Sequence, residues 1–160
     1  MRKTLIIAAA LVLALSLGGC DMIKNALPNK NATIGDKVEN DAPTSDGAQI
    51  SCDSSSATHL TVTIVNNTDS TWQSGNMRDY RLEAERGGEW YQVNQIGEFA
   101  NTMELMLFTP GQTLTHTFMF AERYGTLPAG KYRVVKSFWA NATATAEAHE
   151  FLLICEFTVE

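Results

Sequence analysis

Over residues 59–65 polar and apolar side chains alternate, with Leu60, Val62 and Ile64 on one side of the chain and Thr61, Thr63 and Val65 on the other. A period of two residues is the spacing of a strand with one face against a core and one in water. Asn66-Asn67-Thr68-Asp69 then ends the run with turn-forming side chains. The same period returns at residues 80–85, where Tyr80, Leu82 and Ala84 align, and Gly87-Gly88 suits a tight hairpin whose central residues need positive φ. Residues 90–93 become the returning strand. Residues 105–109 are a shorter apolar stretch leading into Pro110-Gly111, after which threonines alternate with Leu114, His116, Phe118 and Phe120. Residues 131–138 make the next strand, and Leu153, Cys155, Phe157 and Val159 share one face of the last, residues 151–159. Short strands separated by turns, with no helical period and no internal repeat, predict an all-β, antiparallel β-sandwich of about seven strands over roughly 110 residues.

The N-terminal pattern is different in kind. Arg2 and Lys3 precede a run of 13 residues, 5–17, that is apolar except for Ser16, which has the dimensions of a signal-peptide core. It is too short to cross a bilayer, which takes roughly 20 apolar residues. The run ends at Leu17-Gly18-Gly19-Cys20, four residues that resemble the bacterial lipobox, in which small residues precede a cysteine that takes a thioether-linked lipid. The resemblance implies a lipoprotein signal peptide over residues 1–19, diacylglyceryl and palmitate on Cys20, and a lipid-anchored position on the extracytoplasmic face of a cell membrane. Two or three acyl chains exceed what stable anchoring requires. Asp21 resembles the inner-membrane retention signal of bacteria with two membranes. From Asp21 to residue 48 the chain is rich in Asn, Asp, Lys, Pro, Thr and Ser, with scattered apolars such as Ile23, Leu27 and Ile34. That composition buries too little surface to offset ordering entropy, so residues 20–48 are expected to be lipid anchor and disordered linker, and residues 49–160 the domain.

Removing residues 1–19 takes away two of the 12 basic side chains and none of the 18 acidic ones, which leaves a formal charge of −8. With no cluster of Lys or Arg, nucleic acid and anionic head groups are poor partners, and the expected partners are the membrane, through Cys20, and another protein or cell-envelope component. If Cys20 carries lipid, Cys52 and Cys155 can pair as a disulfide in an oxidising compartment or remain as two buried thiols. His59, His116 and His149 lie in separate segments without metal-ligand spacing, and Ser54, Ser55 and Ser56 lack the strand-turn-helix setting of a nucleophile. Carboxylate pairs such as Glu83 with Glu85 and Glu147 with Glu150 read as solvated faces. The Asn-x-Thr triplets beginning at Asn31, Asn66 and Asn141 read as turns and linkers. The chain is therefore expected to be no enzyme and to hold no metal or cofactor.

Residues 124–134, Tyr124-Gly125-Thr126-Leu127-Pro128-Ala129-Gly130-Lys131-Tyr132-Arg133-Val134, resemble a tyrosine corner. In that device a tyrosine hydroxyl returns to backbone a few residues upstream where the chain crosses between sheets, and Gly130 would supply backbone freedom beside Tyr132. Taken with Asn66-Asn67-Thr68, Tyr80-Arg81-Leu82-Glu83, Gly88-Glu89-Trp90, Pro110-Gly111 and Glu156-Phe157-Thr158, this order is similar to a bacterial immunoglobulin-like domain family over about 100 residues. The resemblance implies an Ig-like sandwich with a buried Trp90, and a non-catalytic binding or interaction module. Trp72, Met77, Trp139 and the stretch 103–108 are the candidate partner contacts, because aromatic and Met side chains in loops can anchor a partner. The alternative is a proteinase inhibitor of Ig-like fold, since one bacterial inhibitor family has a similar Trp hairpin, Pro-Gly turn and Pro-x-Gly-x-Tyr corner.

Overall fold

A computed structural model describes residues 32–38, 47–99, 104–144 and 146–160 of the chain. The signal segment, Cys20, Asp21, Met103 and most of the expected linker lie outside the described residues. Ten strands and one helical turn follow in order: β1 (Ile34–Lys37), β2 (Ala48–Ser55), β3 (His59–Asn66), β4 (Trp72–Ser74), β5 (Arg81–Arg86), β6 (Glu89–Val93), β7 (Met106–Phe108), β8 (Thr113–Met119), α1 (Ala121–Tyr124), β9 (Gly130–Ala140) and β10 (His149–Val159).

The smaller sheet is β2-β3-β8, with β3 in the middle. Leu60, Val62 and Ile64 are completely buried on its inner face, opposite Phe118, His116 and Leu114 of β8. Its outer face is a row of hydroxyls, where Thr61 meets Thr117 at 2.9 Å, Thr63 meets Thr115 at 3.1 Å, and Thr63 donates to Asp53 at 2.6 Å. Cross-strand pairs of this kind hold register, and Met119, 53% exposed at the end of β8, is an apolar side chain on the same face.

In the larger sheet β9 and β10 pair antiparallel along their whole length, from Gly130 opposite Val159 to Ala140 opposite His149. The other edge of β9 is shared by two strands, β5 against Tyr132 to Val135 and β4 against Trp139 and Ala140. β5 continues into β6 and β1, and β4 continues into β7. Between β5 and β4 the ladder along β9 is interrupted, and Ser74 donates its hydroxyl to the Ser137 carbonyl at 2.9 Å, satisfying backbone the ladder leaves free. The β5–β6 hairpin turns through Gly87 and Gly88 at φ 64° and 86°, the left-handed conformation two-residue hairpins require.

Aromatic rings fill the space between the sheets. Trp72 lies 5.0 to 5.8 Å from the ring centres of Phe151, Phe108 and Phe138, and its Nε1 donates to Thr68 Oγ1 at 3.1 Å. At the opposite end Tyr132 and Phe120 stack against Phe157 at 5.8 and 5.4 Å. Tyr132 is completely buried and donates its hydroxyl to the Pro128 carbonyl at 3.0 Å, four residues upstream of it. Gly130 sits at φ 158°, a positive φ that side chains rarely adopt, so another residue would be strained there even though an added Cβ would meet Tyr132 at 3.5 Å and Arg86 at 3.6 Å, ordinary contact distances.

Four expectations need correction. The linker does not extend to residue 48, because Ala32 and Ile34 enter the core and β1 pairs with β6. Asn94 N donates to Thr33 O at 2.8 Å and Val38 N to Trp90 O at 2.9 Å, so backbone bonding holds a segment whose side chains read as tether. The strand count rises from about seven to ten because β1, β2 and β4 have no usable alternation. Glu83 is not on a solvated face. It is completely buried, and its carboxylate accepts from Arg81 Nε at 2.5 Å and Arg133 Nε at 2.6 Å, two cations that offset the desolvation of one carboxylate. Arg133 in turn lies 4.4 Å above the ring of Trp90, which is half-buried on the outer side of the sheet and not in the core.

Candidate functional site

Register decides which of the nominated contact residues meet. In the larger sheet Leu107 of β7 stands opposite Gln73 of β4, Gln73 opposite Trp139 of β9, and Trp139 opposite Glu150 of β10. Four strands thus place one side chain each in a single row on the outward face, with Leu105 standing beside it. Leu105, Leu107 and Trp139 are 64%, 56% and 47% exposed. Side chains of this size and exposure, brought together by register, form an apolar patch with a polar margin. Gln73 is anchored by donating to Asn141 Oδ1 at 2.7 Å, and Ser137 donates to Glu150 at 2.5 Å, so the margin is pre-ordered.

The interrupted ladder opens a notch of about 260 Å³ beside this patch, lined by Gln73, Ser74, Asp79, Leu105, Lys136 and Trp139 among others. Lys136 points inward from β9, is 2% exposed, and has its ammonium 5.9 Å from the Phe138 ring centre. Burial lowers its pKa below the usual lysine value, and the charge of Asp79 opposes that shift. The notch is therefore a shallow depression with an apolar rim and a buried cation at its floor.

The other nominated residues fall elsewhere. Trp72 and Met77 are buried in the core and offer no surface to a partner, so of the three nominated side chains only Trp139 is accessible. The signal missed in sequence is that Leu105 and Leu107 lie on the same face as Trp139, which only strand pairing reveals. His116 is half-buried against Phe118 at 4.9 Å, where burial and the neighbouring charge of Lys136 lower its pKa. His59 shares a hydrogen bond of 2.8 Å with Ser56, and His149 one of 3.0 Å with the Glu147 carbonyl. Among the described residues no three acidic, His or Cys side chains gather where a metal ion could be held. Asn66 is completely buried. It donates to the Ser70 and Phe108 carbonyls at 2.9 Å and accepts from Thr68, which makes the Asn66 turn a structural knot. Cys52 is exposed on β2 and Cys155 buried on β10, both as free thiols.

Residues 44–151, about two thirds of the chain, match the family model described as a bacterial Ig-like domain. The chain belongs to the bacterial Ig-like domain family. The match runs from just ahead of β2 into β10, the span that builds both sheets of the sandwich. No curated protein and no solved structure matches the chain. For this Ig-like domain, membership establishes the sandwich and a family that is generally non-enzymatic, and function has to be argued from the site.

Proposed function

We propose that this Ig-like domain is carried on the extracytoplasmic face of a bacterial membrane by lipid on Cys20, and that it binds another envelope protein, without catalysis, through the patch of Leu105, Leu107 and Trp139. The observation that carries the reading is the row Leu107-Gln73-Trp139-Glu150, which with Leu105 beside it gathers three exposed large apolar side chains on the larger sheet. The smaller sheet's outer face carries hydroxyl pairs, with the single exposed side chain of Met119 at the end of β8. Trp at the centre of such a patch has the large rigid surface that dominates binding energy at protein interfaces, and a surrounding polar margin excludes water from it.

The test places a photoreactive phenylalanine at Trp139, or at Thr117 on the opposite outer face, of the full chain in its native membranes. A discrete protein adduct from position 139, absent from position 117 and abolished by Leu107→Glu, is the expected result. Equal labelling from both faces, or an adduct indifferent to Leu107→Glu, overturns the assignment of the patch. The address is tested separately by mass spectrometry of the mature N-terminus. Acyl mass on Cys20 as the first residue is expected, and an unacylated N-terminus downstream of Cys20 refutes it.

A further inference from the structure

The two sheets meet along one side at β2 and β10, and no ladder joins them there: among the described strands β2 pairs with β3 alone and β10 with β9 alone. Ser55 Oγ donates to the Thr158 carbonyl at 3.5 Å, across a separation of 103 residues. Towards the start of β2, Ala48, Gln49, Ile50 and Ser51 face Leu152, Leu153 and Ile154 across a groove of about 470 Å³. Both observations give the same direction, so β2 and β10 run parallel, side by side. Stepping three residues back from Ser55 and Thr158 reaches Cys52 and Cys155, which keep the same separation of 103 residues. The Cys52 side chain is within hydrogen-bonding reach of Cys155. Cys52 stands opposite Val62 in the smaller sheet, and Cys155 opposite Val134 in the larger.

We infer that Cys52 and Cys155 form a redox-active pair whose disulfide ties the two sheets of the sandwich together across this seam. The two thiols differ in role. Cys52 is exposed and can be reached from solution, whereas Cys155 is 5% exposed and its pKa is pushed up to about 12, first by burial and then by Cys52, Asp53 and Glu156. Thiolate is the attacking form, so Cys52 is the entry point and Cys155 the resolving group. The oxidant is an external disulfide, R–S–S–R. Cys52 thiolate attacks one of its sulfurs, releasing RS⁻, which takes up the proton Cys52 gave to solvent, and leaves the mixed disulfide Cys52–S–S–R. Cys155, on losing its proton, attacks the Cys52 sulfur and expels the second RS⁻, which is protonated in turn. Two protein thiols are oxidised to one disulfide, and one external disulfide is reduced to two thiols. The bond closes a loop of about 100 residues, a length at which cross-linking removes much of the unfolded chain's freedom. It also acts where the seam has side-chain contacts and no backbone ladder.

The experiment uses the purified full chain in detergent, incubated with oxidised glutathione as the probe and digested with trypsin without reductant. Cys52 falls in peptide 38–78 and Cys155 in peptide 137–160, each with a single cysteine. The expected result is one species joining these two peptides, lighter than their sum by two hydrogens. The denaturation midpoint of the oxidised protein should fall on adding reductant, and Cys52→Ser, a surface change, should abolish both the link and the reductant sensitivity. Glutathione remaining on Cys52, or a link that leaves the midpoint unchanged, would overturn the inference. Because the reaction is run on isolated protein, a failure here is distinct from a failure of the proposed membrane address or partner surface.

Discussion

Replacing Tyr132 with Phe removes a single oxygen from the crossover into β9. That hydroxyl donates to Pro128 O at 3.0 Å and also receives a hydrogen bond from Arg86. Arg86 keeps its bond to the Glu85 carbonyl at 2.7 Å, so the main loss is at Pro128, which is half-buried and regains water only in part. A lost hydrogen bond together with a partly unsatisfied acceptor gives an expected destabilisation of about 1–2 kcal/mol. Tyr132→Ala also deletes the ring stacked on Phe157 and leaves a cavity, for an expected ~3–5 kcal/mol. Both are measurable against the ~5–15 kcal/mol available to a domain of this size. The assay is urea denaturation of residues 21–160, which retain β1, followed by tryptophan fluorescence. The midpoint should fall at constant m, since the surface exposed on unfolding is unchanged. A Tyr132→Phe loss below ~0.3 kcal/mol, less than the smallest net value typical of a hydrogen bond, would refute the claim that this contact holds the crossover.

Two other perturbations follow from the same structure. Trp72→Ala should cost ~3–5 kcal/mol because it removes a completely buried ring, while Trp139→Ala should stay within ~0.5 kcal/mol, and the same urea assay separates the two. Lys136 has its folded pKa below the ordinary 10.5, so between those two values the unfolded chain binds the proton that the folded chain lacks, and its contribution to stability rises with pH through that window. At pH 7 the buried charge is a cost. Lys136→Met should therefore stabilise the protein by roughly 1 kcal/mol at pH 7, and the advantage should shrink as pH climbs towards 10.5, with the buried tyrosines common to both proteins cancelling. An advantage independent of pH would contradict the assignment.

Period-two alternation made β3, β5, β8 and β10 legible because in each every second side chain turns into the core, and the Gly87-Gly88 pair marked its hairpin for a purely local reason. The family resemblance read from Tyr80-Arg81-Leu82-Glu83, Pro110-Gly111 and the Tyr132 segment agrees with the family match over residues 44–151. β2 was not legible. Its last five residues are all exposed, so nothing in their order distinguishes a strand from a polar linker, and pairing with β3 is what extends them. β1 offers one buried apolar side chain, Ile34, in four residues, too few to show a period, and β4 is three residues long.

The sequence by itself determined the class of fold and the positions of most strands, because alternation and turn chemistry are written within a few neighbouring residues. The tertiary structure alone decided which tryptophan is buried and which is offered to solvent. Thr71-Trp72-Gln73 and Phe138-Trp139-Ala140 do not tell the two apart locally, yet Trp72 points between the sheets and Trp139 away from them. It alone brought Leu107 beside Trp139 and Cys52 beside Cys155. These neighbours are set by register between strands distant along the chain, and a shift of one residue in that register would turn every side chain to the opposite face.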